Sequence, residues 1–424
     1  MRRRATMADV SRLAGVSIGT VSNFLNRTAA IRPKTRERVE AAIRELSFRP
    51  NTLARSLTTG TRPSAASPRP SDLPRLIVVG HISADFTAMV STLPHRNDRA
   101  TAYNIEKSLG GPAANSAVIA AGLGDRFPLA VELVTAIGDD ADSDWALAEL
   151  ALRHVDTIAI RRQAGQRLSR CIVLVESNGS RTIVNEPVSL FESDLAPYVG
   201  PNTDQRRCIH VGGFQIPGLL EPVLSLGKTG ALLSLQTTGL PRAWQSRAKL
   251  AELIGCFDLV FLNRDVAREA TECRGGHAQL IEATIDLVRS SRQTGIVILT
   301  LGEEGALILE PAQSGVRHVP AIPIDIVDAT GAGDAFGGAF LAVWLNTQDP
   351  VLATRYGTAA GSLIVTVQGA QGCVPSASSL AEALKSADRK ASQGGWAPGT
   401  GIETMVGSVR LQSTPAPSGS AQSA

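Results

Sequence analysis

With 424 residues the chain has material for about two to three domains at ~100–200 residues each. Its 42 Lys/Arg and 39 Asp/Glu nearly balance, yet residues 1–62 hold 13 basic and 4 acidic side chains, net +9, and the remainder 29 and 35, net −6; a basic head points to nucleic acid. Five scattered cysteines without C-x-x-C spacing, no apolar run near ~18 residues, and Arg2-Arg3-Arg4 leading into Met7-Ala8-Asp9 argue against a disulfide framework, a membrane span and a signal peptide, and predict a soluble, cytoplasmic protein.

The first expected elements are short helices. Val10, Leu13 and Ala14 define one apolar face, Val21, Phe24 and Leu25 another, and Gly15-Val16 separates them. Such a pair predicts a helix-turn-helix whose second helix can enter the major groove. A third helix is expected from Pro33 to Leu46, with Val39, Ile43 and Leu46 inward. On pattern alone three short helices could equally dock a protein.

The string A-G-V-S-x-x-T-V-S-x-x-L-N, then a basic helix, Arg49-Pro50-Asn51 and Ala54-Arg55-Ser56-Leu57, resembles the DNA-binding headpiece of the Lac repressor family over about residues 5–59. The resemblance implies base-reading positions at Ile18, Gly19 and Asn23, with Asn23 pairing to adenine, and phosphate contacts from Ser17, Thr20 and Ser22. It also implies a hinge helix over Asn51 to Leu57, in which Arg55 touches DNA and Leu57 wedges between base steps of the minor groove. A helix that short needs a partner across a two-fold axis, so a homodimer on a double-stranded operator is implied.

Thr58 to Ser71 is Pro/Ser-rich and reads as a tether. The expected division is a helix-turn-helix domain with its hinge at 1–59, a linker at 60–73, a large domain at 74–390 and a Gly/Pro/Ser-rich disordered tail at 391–424. In the large domain an apolar strand beginning at Arg75 runs to Gly80 and then Asp85. Further apolar runs (Val131 to Ala136, Cys171 to Val175, Ala231 to Leu235, Leu259 to Leu262, Ile296 to Leu301) alternate with helical stretches. The alternation predicts an α/β domain with a largely parallel central sheet. Ligands of such sheets bind beyond the carboxyl ends of strands, where Asp85, Asn263, Thr300 and the Gly331 turn are expected.

Three stretches carry the chemistry. Gly110-Gly111-Pro112-Ala113-Ala114-Asn115 opens a helix with two glycines and an amide, suited to a polyol. Arg170 to Val184 reads as two strands around Asn178-Gly179, a hairpin signal. The third is Asp325 to Leu345: a strand-like approach, Ala321 to Val327, runs into Thr330-Gly331-Ala332-Gly333-Asp334 and then a helix bearing Phe336 and Phe340 on one face. Glycines at a helix start let unpaired N–H groups, at the positive end of the dipole, approach a phosphoryl oxyanion. Asp334 sits beside them, able to take a proton from an attacking hydroxyl. Read alone, the string is also a Gly-rich connection with an N-capping Asp, and Asp85 a helix cap.

The complete D-x-T-G-A-G-D-x-F string, with Asp85 and the G-G…N set, resembles the ribokinase-like (PfkB) sugar kinases over roughly residues 74–385, and S-N-G-S-R-T-I-V is similar to the ketohexokinase branch. The resemblance implies a ribokinase-like fold with a small β lid. It assigns the anion hole to Gly331, Ala332 and Gly333, the catalytic base to Asp334, and sugar contacts to Asp85, Gly110, Gly111, Asn115 and Arg170. It places Asn263, Thr300, Gly302, Gly305, Thr330, Gly369 and Ala370 around ATP with Mg2+, and Asp328 at a monovalent cation. Three positions depart from the family: Val266 stands where N-x-x-E has Glu, Cys373 where a hydroxyl is common, and Gln236 where Asp or Asn is frequent. The expected function is ATP-dependent phosphorylation of a monosaccharide, a ketose such as fructose or else ribose, joined to a DNA-binding regulator. The alternative is a kinase-fold sensor that turns over poorly and represses transcription in response to sugar.

Overall fold

The computed structural model describes residues 7–17, 20–21, 35, 38–39, 42, 73–176, 181–199, 206–291, 295–310, 315–367 and 369–392. The chain divides into two compact units, Met1–Arg69 and Pro70–Ala424.

In the first unit, α1 (Met7–Ala14) buries Val10 and Ala14. Leu13 departs from the expected face: it is 45% exposed, because Val10 and Ala14 share an i, i+4 ridge from which position 13 is rotated. After the Gly15 turn, Ser17 Oγ accepts from Thr20 N at 3.1 Å and lies 2.9 Å from Thr20 Oγ1, capping the helical start at Thr20 and Val21. Arg38 donates to the Gly15 carbonyl at 3.0 Å, and Val21, Val39 and Ala42 are buried. The expectations at Ile18, Gly19, Ser22, Asn23, Phe24, Leu25, Ile43, Leu46, Arg55, Leu57, the tether and the tail beyond residue 392 lie outside the described residues; residues 391–392, expected in the tail, end a helix (Ala377–Ser392).

The second unit is built on an 8-stranded sheet. Its strands are β1 (Arg75–Val79), β4 (Ala130–Val134), β9 (Arg207–Gly212), β10 (Leu232–Gln236), β11 (Leu259–Asn263), β12 (Ile296–Thr300), β13 (Ala306–Glu310) and β14 (Gly315–Val319), in the order β14-β13-β12-β11-β10-β9-β1-β4. β4 through β12 pair in parallel, and β13 and β14 add an antiparallel edge. Parallel strands read as unbroken apolar runs because both faces are covered. In β1, Leu76 and Val78 face one core and Ile77 and Val79 the other.

A second sheet, in the order β3-β2-β7-β8, forms the lid: β2 (Ser83–Val90), β3 (Asn104–Gly110), β7 (Arg170–Glu176) and β8 (Arg181–Asn185). β7 and β8 are the expected antiparallel hairpin, although its Asn178-Gly179 turn lies outside the described residues. A two-stranded sheet joins β5 (Ala136–Ile137) to β6 (Arg161–Arg162).

Two helices carry the site: α2 (Pro112–Gly122) and α3 (Ala332–Thr347). α3 is buried almost all round, not on the single aromatic face expected, since it is wedged against α2 and against α4 (Pro350–Ile364). The approach to α3 is not a strand. Residues 321–327 are irregular, with Ile326 and Val327 exposed, because Pro320 and Pro323 withhold ladder donors and the Val327 and Asp328 amides bond the Val365 carbonyl instead. Among the described residues no helix is long and apolar enough to cross a membrane.

Candidate active site

The turn before α3 is held by one carboxylate. Asp328 Oδ1 accepts from Thr330 N at 2.9 Å and Thr330 Oγ1 at 2.6 Å, and Oδ2 accepts from Gly369 N at 2.9 Å. Both oxygens are therefore bonded into a loop brace, the position read as a cation ligand. Gly331 has φ +78°, and a Cβ there would lie 2.4 Å from Ala370 Cβ, so the turn requires glycine and abuts the 369–371 segment. Helix α3 begins at Ala332, which leaves its first amides without intrahelical acceptors at the positive end of the dipole.

Asp334 lies in the first turn of α3, 6% exposed. It does not cap the helix; its Oδ2 accepts from Asn115 Nδ2 at 2.8 Å, and its backbone carbonyl accepts from Ser116 Oγ at 3.2 Å. Burial pushes its pKa up to about 7, the Asn115 bond opposes the rise, and the charge of Asp85 adds to it. Asn115 in turn accepts from Gln371 Nε2 at 2.9 Å.

Asp85 sits on lid strand β2, six residues past the end of β1 and not at the sheet end where it was expected, because the chain re-enters a strand at Ser83. That placement removes the helix-cap reading. Ser83 Oγ donates to its Oδ1 at 2.5 Å, and burial lifts its pKa to about 6 against that bond. The carboxylate lies on Gly110, where a Cβ would stand 2.0 Å from Asp85 Oδ2; Gly111, at φ +93°, brings the start of α2 against the His81 carbonyl. Thus Asp85, Gly110, Gly111, Asn115 and Asp334 lie together where lid strand β2 meets the starts of α2 and α3. Arg170, at the start of β7 and paired in register with Ala84, has Nη2 3.4 Å from Asp142 Oδ2.

On the other side, Asn263 ends β11 and caps the helix Arg264–Thr271 by accepting from Val266 N at 2.8 Å. Thr300 ends β12, and the following loop turns through Gly302 and Gly305, both at positive φ. Glu304 anchors that loop: its carboxylate meets His277 Nδ1 at 2.7 Å and its carbonyl His318 Nε2 at 2.7 Å. Val266 is buried, and Asp265 is exposed in the first helical turn. Among the described residues no group of three or more His, Cys, Asp or Glu could hold a metal ion.

Two residues in the site escaped sequence reasoning as contributors. Gln371 follows Gly369 and Ala370, which were expected around ATP, but was not itself expected in the site. Gln236 was read only as a departure; it is buried at the end of β10, donates to Thr238 Oγ1 at 3.3 Å, and its Nε2 would be 3.3 Å from a Cβ on Gly333, so it lies over the Gly331–Gly333 turn. Its Oε1 has no hydrogen-bond partner.

Residues 73–377 match the family model described as pfkB family carbohydrate kinase, and residues 6–51 the model described as bacterial regulatory proteins, lacI family. An ATP-dependent ribose-1-phosphate kinase of Halopiger xanaduensis is 28% identical over 313 residues, 73% of this chain and 98% of the relative. A ribokinase of Staphylococcus aureus is 24% identical, covering 71% and 96%. Among solved structures, a Giardia lamblia ribokinase aligns with TM-score 0.63 at 18% identity, over 73% of this chain and 99% of that one. A Vibrio cholerae fructokinase bound to fructose, ADP and potassium aligns with TM-score 0.59 at 21% identity, over 74% and 100%. At these identities the solved structures bear on the fold.

Proposed function

Because the chain belongs to the pfkB family of carbohydrate kinases, whose model spans residues 73–377, and carries a lacI-family DNA-binding domain at residues 6–51, we propose that it transfers the γ-phosphoryl group of ATP to a hydroxyl of a furanose-forming monosaccharide, ribose or a ketose such as fructose, and acts at a DNA operator. The observation that carries the reading is the buried Asp334 carboxylate at the first turn of α3, beside the Gly331–Gly333 amides and bonded to Asn115.

In this mechanism Asp85, Gly110, Gly111 and Asn115 hold the sugar, with Arg170 at the lid edge. Ionised Asp334 accepts the proton as the hydroxyl oxygen bonds to phosphorus and the bond from phosphorus to the bridging oxygen of ADP breaks. The amides of Gly331, Ala332 and Gly333 take up the charge that develops on the transferring group. Asn263, Thr300, Gly302, Gly305, Thr330, Gly369 and Ala370 line the nucleotide side. The donor set suits a magnesium ion that arrives on the nucleotide, since such ions ride on phosphates and water with few protein ligands; Asp265 beside Asn263 is the acid available to it, and the ion would neutralise phosphate charge.

A second reading, a sugar-responsive regulator that turns over poorly, draws on buried Val266 at the acidic position and on neutral Gln236. In both readings the DNA-bound form is a homodimer. A coupled ADP-release assay over a panel of aldoses and ketoses decides between them: sugar-dependent turnover supports the kinase, and ATP and sugar binding without turnover leaves only the sensor.

A further inference from the structure

Gln371 reaches the Asp334 carboxylate through one intermediary. Its Nε2 donates to Asn115 Oδ1 at 2.9 Å, and Asn115 Nδ2 donates to Asp334 Oδ2 at 2.8 Å. All three side chains are buried. An amide carries its acceptor on one side and its donors on the other, so with an N–H already on its carbonyl Asn115 can offer Asp334 only its NH2. Turned by half a rotation, Asn115 would set carbonyl against carboxylate and NH2 against NH2, two mismatches in a buried site where they are most unfavourable.

The remaining atom of Gln371 argues for function over packing. Gln371 Oε1 is buried without a hydrogen-bond partner. An apolar side chain of the same length would fill the space and leave no acceptor unsatisfied, so the amide is explained by its bond to Asn115. Gln371 also follows directly on Gly369, which bonds Asp328, and Ala370, which abuts Gly331. One segment therefore touches both the anion turn and the base.

We propose that Gln371 is a positioning residue for phosphoryl transfer: it locks the Asn115 amide with its NH2 toward Asp334, so that the base and the sugar-binding amide share one productive arrangement. This rests on the reading of Asp334 as the base. Freed of Gln371, Asn115 can turn its carbonyl toward Asp334, the ionised carboxylate loses a donor, and the base binds its proton more tightly.

The test compares wild type with Gln371→Met and Gln371→Glu in steady-state kinetics from about pH 5 to about pH 9. Removing one such hydrogen bond is expected to lower kcat about tenfold in Gln371→Met, with KM for ATP unchanged and the acidic limb of the kcat profile moved to higher pH. Gln371→Glu, whose carboxylate pulls the Asn115 NH2 away from Asp334, is expected to lose more. A Gln371→Met enzyme with wild-type kcat and pH profile, or one altered only in KM for ATP, overturns the proposal. Should Gln371→Met not fold, Gln371→Asn, too short to reach Asn115, carries the same expectations. Failure of the kinase reading is seen separately, as absence of wild-type turnover. In that event a carboxyl 13C titration of Asp334, assigned with Asp334→Asn, still reads the relay: its midpoint should rise in Gln371→Met, and an unchanged midpoint overturns the relay.

Discussion

Asn115 Nδ2 lies 2.8 Å from Asp334 Oδ2, a contact that closes 219 residues of sequence and joins the N-terminus of α2 to that of α3. The bond stabilises the ionised carboxylate, yet burial outweighs it and leaves the Asp334 pKa at about 7.

The pH dependence follows. A base must be ionised to act, so kcat/KM for the sugar should climb with pH through about 7 and level off above it, with a second, gentler rise near 6 from Asp85. Initial rates in overlapping buffers at constant ionic strength measure it. A profile that falls across the same interval would mean that Asp334 works as an acid or not at all.

Stability carries the opposite sign. The folded pKa of Asp334 is raised above the ordinary value of 3.8, so the group's contribution is fully present below that value and is lost as pH rises through about 7. Asp334→Asn, which cannot ionise, should therefore be more stable than wild type above neutrality, by on the order of 4 kcal/mol, and the difference should shrink toward about pH 4. Urea unfolding of both proteins at acid and mildly alkaline pH checks the crossover; a constant difference would dismiss the linkage.

Much of this site was legible from residue types. The Thr330 to Asp334 string and the Gly110-Gly111…Asn115 set fall where local backbone demands, positive φ or close approach, restrict the residue choice. The alternation of apolar runs likewise announced a sheet buried on both faces. Other features depend on contacts far apart in sequence and left no local mark. The Gln371 to Asn115 bond spans 256 residues, and nothing near position 371 signals it. The strand expected at Ala321 to Val327 failed because two prolines outweigh its apolar content. Asp85 was displaced onto the lid because a three-residue break after β1 looks the same in sequence whether a helix or a second strand follows. Leu13 shows that one turn of apolar residues does not fix which of them faces inward.

Gly110 offers a test of the sugar side. Its missing Cβ would stand 2.0 Å from Asp85 Oδ2, so Gly110→Ala must push the carboxylate aside. Because only the end of a side chain has to move, the fold should survive while KM for the sugar rises about ten- to hundredfold, the usual consequence of an ångström-scale misplacement. Equal losses for ATP and sugar would point to general disruption of α2.

The head should bind DNA through charge. Residues 1–62 carry net +9, and cations that neutralise phosphates release counterions. Log affinity for operator DNA should fall steeply and linearly with log salt, with two chains bound per site by analytical ultracentrifugation. A flat salt plot or a monomeric complex would remove the operator-binding reading.

The most direct test of the account is single-turnover phosphoryl transfer, by rapid quench with γ-labelled ATP and saturating sugar, in wild type and Asp334→Asn. Removal of the base is expected to slow transfer by about 10³-fold or more while ATP and sugar still bind. Transfer at the wild-type rate in Asp334→Asn, or no labelled sugar from the wild type, would contradict the assignment of Asp334 as the group that activates the hydroxyl.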